Sequence, residues 1–291
     1  MDRRRGFTLI ELLVVISIIA LLMAILMPTL AKVRRQAKAV VCQQQLGQWG
    51  KMFMMYTMDN NGYFMRGCTG STATAKFSDY WTNALRSYYS DKLDMNPKIR
   101  LCPMATKPRL DINGNATGAR NPFAAWGIFP EDSSNYGFKK GDYGSYGINL
   151  YVSNQPPKLP PGADKVWFGL GAPATSDWRT PNVKNPNRVP LFLDCAHLQG
   201  YPQPFDNPPE YSGDQEWGKN LMKHFCQNRH DGYVNGVFLD FTVRKIGLKE
   251  LWTLKWHRTY DINGIWTLAG GVTRAAWKAQ GNGWMEKFKD Y

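Results

Sequence analysis

The first sixty residues show two successive patterns of apolar positions. Leu12 to Ala31 form a run of twenty residues without a charge, and Lys32 ends it. As a helix this run is about 30 Å long, the thickness of a membrane's hydrocarbon core. Further on, apolar residues recur every three or four positions, which predicts an amphipathic helix packed on a globular head. This stripe comprises Val33, Ala37, Val40, Val41, Leu46, Trp49, Met52, Phe53 and Tyr56.

Turn residues at 59–62 (Asp-Asn-Asn-Gly) predict the end of this long helix. Pro28 lies late in the apolar run, and we expect it to kink or loosen the helix because proline removes one backbone donor. The polar face of the second half is expected to be solvated; it carries Gln43, Gln44, Gln45 and Gln48.

From about residue 61 to the end at residue 291, short apolar runs are separated by turns rich in proline and glycine. Such runs predict short strands. The clearest runs are 166–168, 189–193, 234–239 and 242–246. The sequence therefore predicts an α+β fold in which a long N-terminal helix packs on an antiparallel sheet with long loops.

Composition adds two constraints and one open question. An apolar fraction of 43% with 11 Trp excludes a wholly disordered chain. The formal net charge of +13 and the aromatic fraction of 13% suit a head that binds single-stranded nucleic acid or sugar rings. The same aromatic residues can equally fill a core between long loops, and we favour that interpretation.

The carboxylate of Glu11, at the start of the apolar run, is the first sign of function. A secretory signal peptide has a shorter apolar region and a small-residue cleavage site, and this segment has neither. A plain membrane anchor has no use for an acid, because a buried carboxylate is costly unless it is paired. Glu11 is therefore a candidate functional residue.

Residues 5–11, Arg-Gly-Phe-Thr-Leu-Ile-Glu, resemble the processing site of type IV prepilins and type II secretion pseudopilins. The resemblance implies that a prepilin peptidase cleaves between Gly6 and Phe7 and methylates the new amine of Phe7. It also implies that Glu11 neutralises the ammonium at Phe7 of a neighbouring subunit and sets the stagger of subunits during assembly.

The same resemblance divides the chain into four parts: a leader at 1–6, a membrane-spanning assembly half at 7–31, a spine helix at 32–60 and an exported head at 61–291. It implies a single-pass protein of the inner membrane with a cytoplasmic N-terminus, or a filament outside that membrane. The implied partners are the peptidase and methyltransferase, copies of the chain or other pilins, an inner-membrane assembly platform and lipid.

Two functions follow. The first is a structural subunit of a pilus-like or type II secretion pseudopilus-like filament, which is itself no enzyme. The alternative is a membrane-tethered surface protein whose aromatic-rich head binds a glycan or another polymer without forming filaments.

Several head motifs resemble a pilin-like subfamily with a processing-associated H-x9-D-G signature; they are 101–103 (Leu-Cys-Pro), 145–149 (Ser-Tyr-Gly-Ile-Asn) and 229–232 (Arg-His-Asp-Gly). His230 and Asp240 have the signature spacing, but Phe241 replaces its glycine. A tight Asp-Gly hairpin needs positive φ at both residues, so we expect a longer or bulged hairpin here. We also expect a hydrogen bond between His230 and Asp240.

The five cysteines fit no metal motif, since no Cys-x-x-Cys occurs. In an exported head they can form disulfides, and Cys42 with Cys102 is one candidate pairing, although sequence does not settle connectivity. We expect no cofactor and no metal, apart from a low prospect of calcium in the head. Residues 111–115 place oxygens as a calcium loop does, but Ala116 and Pro122 stand where an EF-hand needs Gly and Glu, so a plain turn is favoured.

Overall fold

The computed structural model describes residues 8–69, 76–89, 97–108, 110, 121–127, 140–154, 174–214 and 220–291. Three sequence predictions lie outside these residues: the cleavage junction at Gly6 and Phe7, the strand at 166–168 and the turn at 111–115. Within the described ranges, one helix is long and apolar enough to cross a membrane. That helix, α1, covers Leu9–Asp59.

Local side-chain and backbone groups set both ends of α1. Thr8 caps its N-terminus: its hydroxyl accepts from the backbone N–H of Glu11, and Glu11 accepts from the backbone N–H of Thr8. At the other end Asn61 and Gly62 adopt positive φ, and the N–H of Gly62 bonds the carbonyl of Thr57. The 51 residues make a helix about 77 Å long. The helix continues across Pro28, and a kink there stays a prediction.

The head contains nine short strands in the part of the chain that is described. They are β1 Gly67–Thr69, β2 Lys76–Asp79, β3 Trp126–Gly127, β4 Tyr143–Gly144, β5 Tyr146–Asn149, β6 Pro190–Asp194, β7 Gln199–Gly200, β8 Tyr233–Phe238 and β9 Val243–Gly247. Strands β1 with β2 and β3 with β4 form antiparallel pairs. The main sheet has the order β7-β5-β6-β8-β9 and is antiparallel except for the pair β5–β7. The predicted α+β pilin-like architecture is confirmed, with one parallel pair added.

Short helical segments fill the connections between strands. The α-helices are α2 Trp81–Ala84, α3 Arg86–Tyr89, α4 Met222–Phe225 and α5 Arg274–Ala279. The 3-10 helices are Pro97–Arg100, Ala174–Ser176, Pro186–Arg188, Lys249–Thr253 and Gly281–Gly283.

The main sheet separates two apolar clusters. On one face α1 crosses β6, β8 and β9, and Trp49 and Phe53 of the helix pack on Phe192 of β6 with ring centroids 5.0 and 5.5 Å apart. On the other face the C-terminal segment supplies Trp252, Trp256 and further aromatic residues. The core therefore depends on both ends of the chain.

The predicted apolar stripe of α1 is correct only from Leu46 onward. Val33, Val40 and Val41 are 57, 54 and 48% exposed, and Ala37 is exposed too. Val33 and Ala37 precede Ala39, the first residue of the helix that the head buries. Val40 and Val41 lie beyond Ala39 but stay on the exposed side of the helix. The prediction of a fully solvated glutamine face is also wrong in part, because the side chains of Gln43 and Gln45 bond Asn235 and Tyr146 of the head.

The β8–β9 hairpin shows how Phe241 is accommodated at the position where the signature has glycine. The N–H of Phe238 bonds the carbonyl of Thr242, and the N–H of Phe241 bonds the carbonyl of Phe238. These bonds define a three-residue loop whose last residue needs positive φ, a place that glycine usually fills. Phe241 adopts φ +62° there. The expected longer or bulged hairpin is confirmed.

Candidate functional sites: the exposed helix half and the buried thiol cluster

The exposed half of α1, defined here as Leu9–Lys38, contains no buried residue. Near its end the guanidinium of Arg35 lies 3.8 Å from the carboxylate of Asp231 in the head, and both side chains are largely exposed. Every large apolar side chain from Leu9 to Leu30 is about half exposed or more, from 45% at Val15 to 78% at Leu9. Isolated apolar side chains on a surface are ordinary, whereas a continuous patch of this size marks a lipid or protein interface. The exposed half is therefore an unpartnered interface.

Glu11 lies at the N-terminal end of this half, and the structure gives its carboxylate a local role. The Oε2 atom accepts from the backbone N–H of Thr8 at 2.9 Å and from the Thr8 hydroxyl at 2.8 Å. Within the described residues, no hydrogen bond reaches the second oxygen, Oε1. Cleavage at Gly6, methylation of Phe7 and pairing of Glu11 with a neighbour stay predictions.

A second candidate site lies where α1 enters the head. It is the buried thiol cluster, which consists of Cys42, Cys102, Asp194 and His230. One ligating atom from each residue lies within 4.8 Å of the other three. Cys42 belongs to α1, Cys102 follows the 3-10 helix at 97–100, Asp194 ends β6 and His230 precedes β8. Four separate elements therefore meet at this cluster.

Hydrogen-bond distances connect the cluster. The Sγ atom of Cys42 is 3.6 Å from both carboxylate oxygens of Asp194. The Nε2 atom of His230 is 3.1 Å from Oδ2 of Asp194 and 3.5 Å from Sγ of Cys102. The expected hydrogen bond from His230 to Asp240 is wrong: Asp194 takes its place, and Asp240 instead accepts from Thr242 within the hairpin turn.

Burial and pairing act against each other on the ionisable groups of the cluster. Burial raises the pKa of Cys42 well above its usual value, and the hydrogen bond that it donates to Cys102 adds to this. Burial alone would raise the pKa of Cys102, but that hydrogen bond and the contact with His230 outweigh it and lower the pKa to about 7. Burial likewise opposes charge on Asp194 and His230, yet their mutual attraction lowers the pKa of the acid and raises that of the histidine to about 10.

A polar shell supports the cluster from the head side. The backbone N–H of Asn235 donates to Oδ2 of Asp194 at 2.9 Å, and the buried guanidinium of Arg229 lies 3.4 Å from Oδ1. The Tyr146 hydroxyl donates to Sγ of Cys42 at 3.4 Å. The Ser145 hydroxyl accepts from the backbone N–H of Cys102. Charge and shape are therefore fixed around the four side chains.

The candidate disulfide and the cluster involve the same two sulfurs. The structure places the sulfurs of Cys42 and Cys102 within 4.8 Å of each other as free thiols, and Cys195 and Cys226 are free as well. A covalent bond between Cys42 and Cys102 stays a prediction. The cluster as a whole escaped sequence analysis, because its members lie far apart along the chain and match no compact metal motif.

The tryptophans bear on the polymer-binding alternative. Eight of the nine that the structure describes are buried and the ninth, Trp284, is partly buried. They pack in clusters, as in the edge-on contact of Trp49 with Trp81 at 5.6 Å and of Trp252 with Trp277 at the same distance. The tryptophans of the described residues therefore serve the core rather than a stacking surface.

Comparison with known proteins bears on the N-terminal segment. Residues 1–27 match the model of the prokaryotic N-terminal methylation motif. This N-terminal segment is type IV prepilin-like. The chain is also 48% identical to the type IV wide pilus major component PilA4 of Thermus thermophilus over 63 residues. These 63 residues are 22% of this chain.

The chain spans about half (48%) of the length of the curated relative that it matches. No solved structure matches it. The motif and the exposed apolar helix are together typical of a membrane-anchored pilin. Most of the large head lies beyond what these likenesses cover.

Proposed function

We propose that this chain is a structural subunit of a pilus-like or pseudopilus-like filament, assembled through the exposed half of α1 after cleavage between Gly6 and Phe7. The observation that carries the proposal is the apolar surface that Leu9–Lys38 leaves uncovered on all sides. A single membrane span needs only lipid around it, but the methylation motif at 1–27 accompanies assembly in the pilin that this segment resembles.

The charge on Glu11 sets how the exposed helix halves of neighbouring subunits align along the filament. Cleavage at Gly6 creates an ammonium at Phe7, and an ammonium among apolar helices is stabilised only by a neighbouring carboxylate. Because the local cap uses Oε2 alone, Oε1 of Glu11 is available to the Phe7 amine of an adjacent subunit. The helix cap and the contact between subunits are therefore compatible.

In this proposal the chain spans the inner membrane once, with its leader in the cytoplasm and its head outside. A prepilin peptidase and methyltransferase then process it, and an assembly platform moves it into a filament. The polymer-binding alternative has no support from the described tryptophans, which are almost all buried.

Paired variants of Glu11 test the role of its charge. Glu11→Gln keeps an oxygen that can cap Thr8 but removes the charge, whereas Glu11→Ala removes both. We expect both variants to be cleaved normally and to lose sedimentable filaments by at least about tenfold, because an unpaired buried charge costs about 3–5 kcal/mol. The measurement is the amount of chain in the high-speed pellet of sheared cells.

Thr8→Val is the matched control, since it removes the capping hydroxyl and leaves the Glu11 charge in place. We expect it to assemble at near wild-type levels. Normal filaments from Glu11→Gln together with loss in Thr8→Val would mean that capping, not charge, is what the residue supplies.

A further inference from the structure

The four side chains of the buried thiol cluster converge on one point at the junction of helix and head. We propose that Cys42, Cys102, Asp194 and His230 form a buried tetrahedral zinc site that fastens α1 to the head. The inference does not depend on whether the chain forms filaments.

Three of the six separations among the ligating atoms match the edges of a zinc tetrahedron, and the other three lie below 4.8 Å. Zinc bonds of about 2.3 Å to sulfur and about 2.0–2.1 Å to nitrogen or oxygen place a sulfur about 3.5 Å from either, and nitrogen about 3.3 Å from oxygen. The measured separations are 3.6 Å for Cys42 with Asp194, 3.5 Å for Cys102 with His230 and 3.1 Å for His230 with Asp194. No pair of the four ligating atoms exceeds 4.8 Å.

The donor set selects zinc by its chemistry. Two thiolates and an imidazole prefer zinc to magnesium or calcium, which take oxygen ligands. With both thiols ionised, the two sulfurs and the carboxylate carry three negative charges. A divalent ion and the buried guanidinium of Arg229, 3.4 Å from Asp194, together carry three positive charges. The charges therefore balance at a site whose four ligands are buried.

Hydrogen bonds hold the carboxylate of the cluster as a metal site requires. Ligating carboxylates in proteins are fixed by further hydrogen bonds; here the Asn235 N–H and Arg229 supply them to Asp194. A cleft of about 330 Å³ lies between the helix and the head, with His230 and Tyr233 in its wall. The cleft therefore borders the site on the side of His230.

A disulfide between Cys42 and Cys102 is the competing fate of the same sulfurs. It would join the helix to only one segment of the head and would leave His230 and Asp194 as a separate ion pair. Zinc instead uses all four groups and explains why a histidine and an acid accompany the cysteines. The two states differ in metal content and in mass.

Metal analysis of the full-length chain, purified in detergent after growth with Zn²⁺, decides between these states. We expect one zinc per chain by elemental analysis and native mass spectrometry, and four reduced cysteine sulfurs outside Cys68. Cys102→Ser and Asp194→Asn should each lower the affinity for Zn²⁺ by at least about tenfold. Cys226→Ala is the matched control, since its thiol is equally buried but lies outside the cluster, and it should keep full zinc content.

Cobalt substitution provides a readout on the unaltered chain, so that misfolded variants cannot obscure the result. Bound Co²⁺ should show the intense visible bands of tetrahedral coordination and the near-ultraviolet charge-transfer bands of thiolate ligands. A chain that lacks metal and is lighter by two hydrogens, with a Cys42–Cys102 cross-link, would overturn the proposal. So would a metal-free chain with free thiols, or Co²⁺ bound without thiolate bands.

Discussion

The two halves of α1 share one continuous helix but have opposite surroundings. In the exposed half, Leu9–Lys38, apolar side chains point in all directions and none is covered. In the half from Ala39 to Asp59, the buried residues Leu46, Trp49 and Phe53 lie on one side, against the sheet. A helix that is apolar all round needs partners on every side, whereas a striped helix needs one. The chain folds its own partner for the second half and must find partners for the first.

The strongest test of this contrast compares a core residue of the buried half with an exposed one. Trp49 is fully buried, and its indole N–H bonds the carbonyl of Ile99. We expect Trp49→Ala to lower the free energy of unfolding of the head by about 3–5 kcal/mol. Leu22→Ala, at a site 53% exposed, should change it by less than about 0.5 kcal/mol.

Denaturant unfolding of the detergent-solubilised chain, followed by tryptophan fluorescence, measures both changes. The signal reports the buried half and the head, where every tryptophan lies. Equal losses in the two variants would mean that the exposed half is also held by the head.

A pH series tests how the protonation of Asp177 affects the stability of the head that packs on the buried half. Burial raises the pKa of Asp177 to about 8 from 3.8, against the opposing effects of the Ser153 hydrogen bond and of Arg258 and Arg179. The folded chain therefore keeps a proton that the unfolded chain releases above about pH 4. This contribution to stability is complete below pH 4 and is lost as the pH rises toward 8.

We accordingly expect Asp177→Asn to stabilise the head at pH 8 by about 1–2 kcal/mol relative to wild type and to have little effect at pH 4. The asparagine keeps an oxygen for the Ser153 hydroxyl, which donates at 3.1 Å. Thermal unfolding at the two pH values gives the comparison, with Asp240→Asn in the hairpin turn as the control. An equal stabilisation at both pH values would contradict the explanation that the effect comes from the proton on Asp177.

Two glycines of the buried half give a finer test of how closely the head packs on the helix. A Cβ at Gly50 would lie 3.1 Å from the carbonyl oxygen of Phe241 and 3.2 Å from Val237, whereas at Gly47 it would meet only Val243 at 3.9 Å. Alanine gains about 0.5–1 kcal/mol over glycine inside a helix. We expect Gly47→Ala to stabilise by that amount.

Gly50→Ala should instead destabilise by about 1 kcal/mol, because crowding costs more than the helix gains. The unfolding midpoint in denaturant measures both variants. If both stabilise equally, the helix is not pressed against the β8–β9 turn as the structure has it.

The sequence predicted the parts of the fold that depend on local pattern. Helix α1 and strands β6, β8 and β9 follow from periodicity and turn residues. Val33 and Ala37 were misplaced because periodicity does not say where along a helix the head begins. The thiol cluster was missed because chain topology alone brings Cys42, Cys102, Asp194 and His230 together.

The central claim is that the exposed half is an assembly surface of a processed chain. The mass of the N-terminal peptide, taken from the high-speed pellet of sheared cells, tests it most directly. The account predicts a sedimentable chain that begins at Phe7 and carries one added methyl group. A pelleted chain that keeps Met1 to Gly6, or a processed chain that never leaves the membrane fraction, would contradict it.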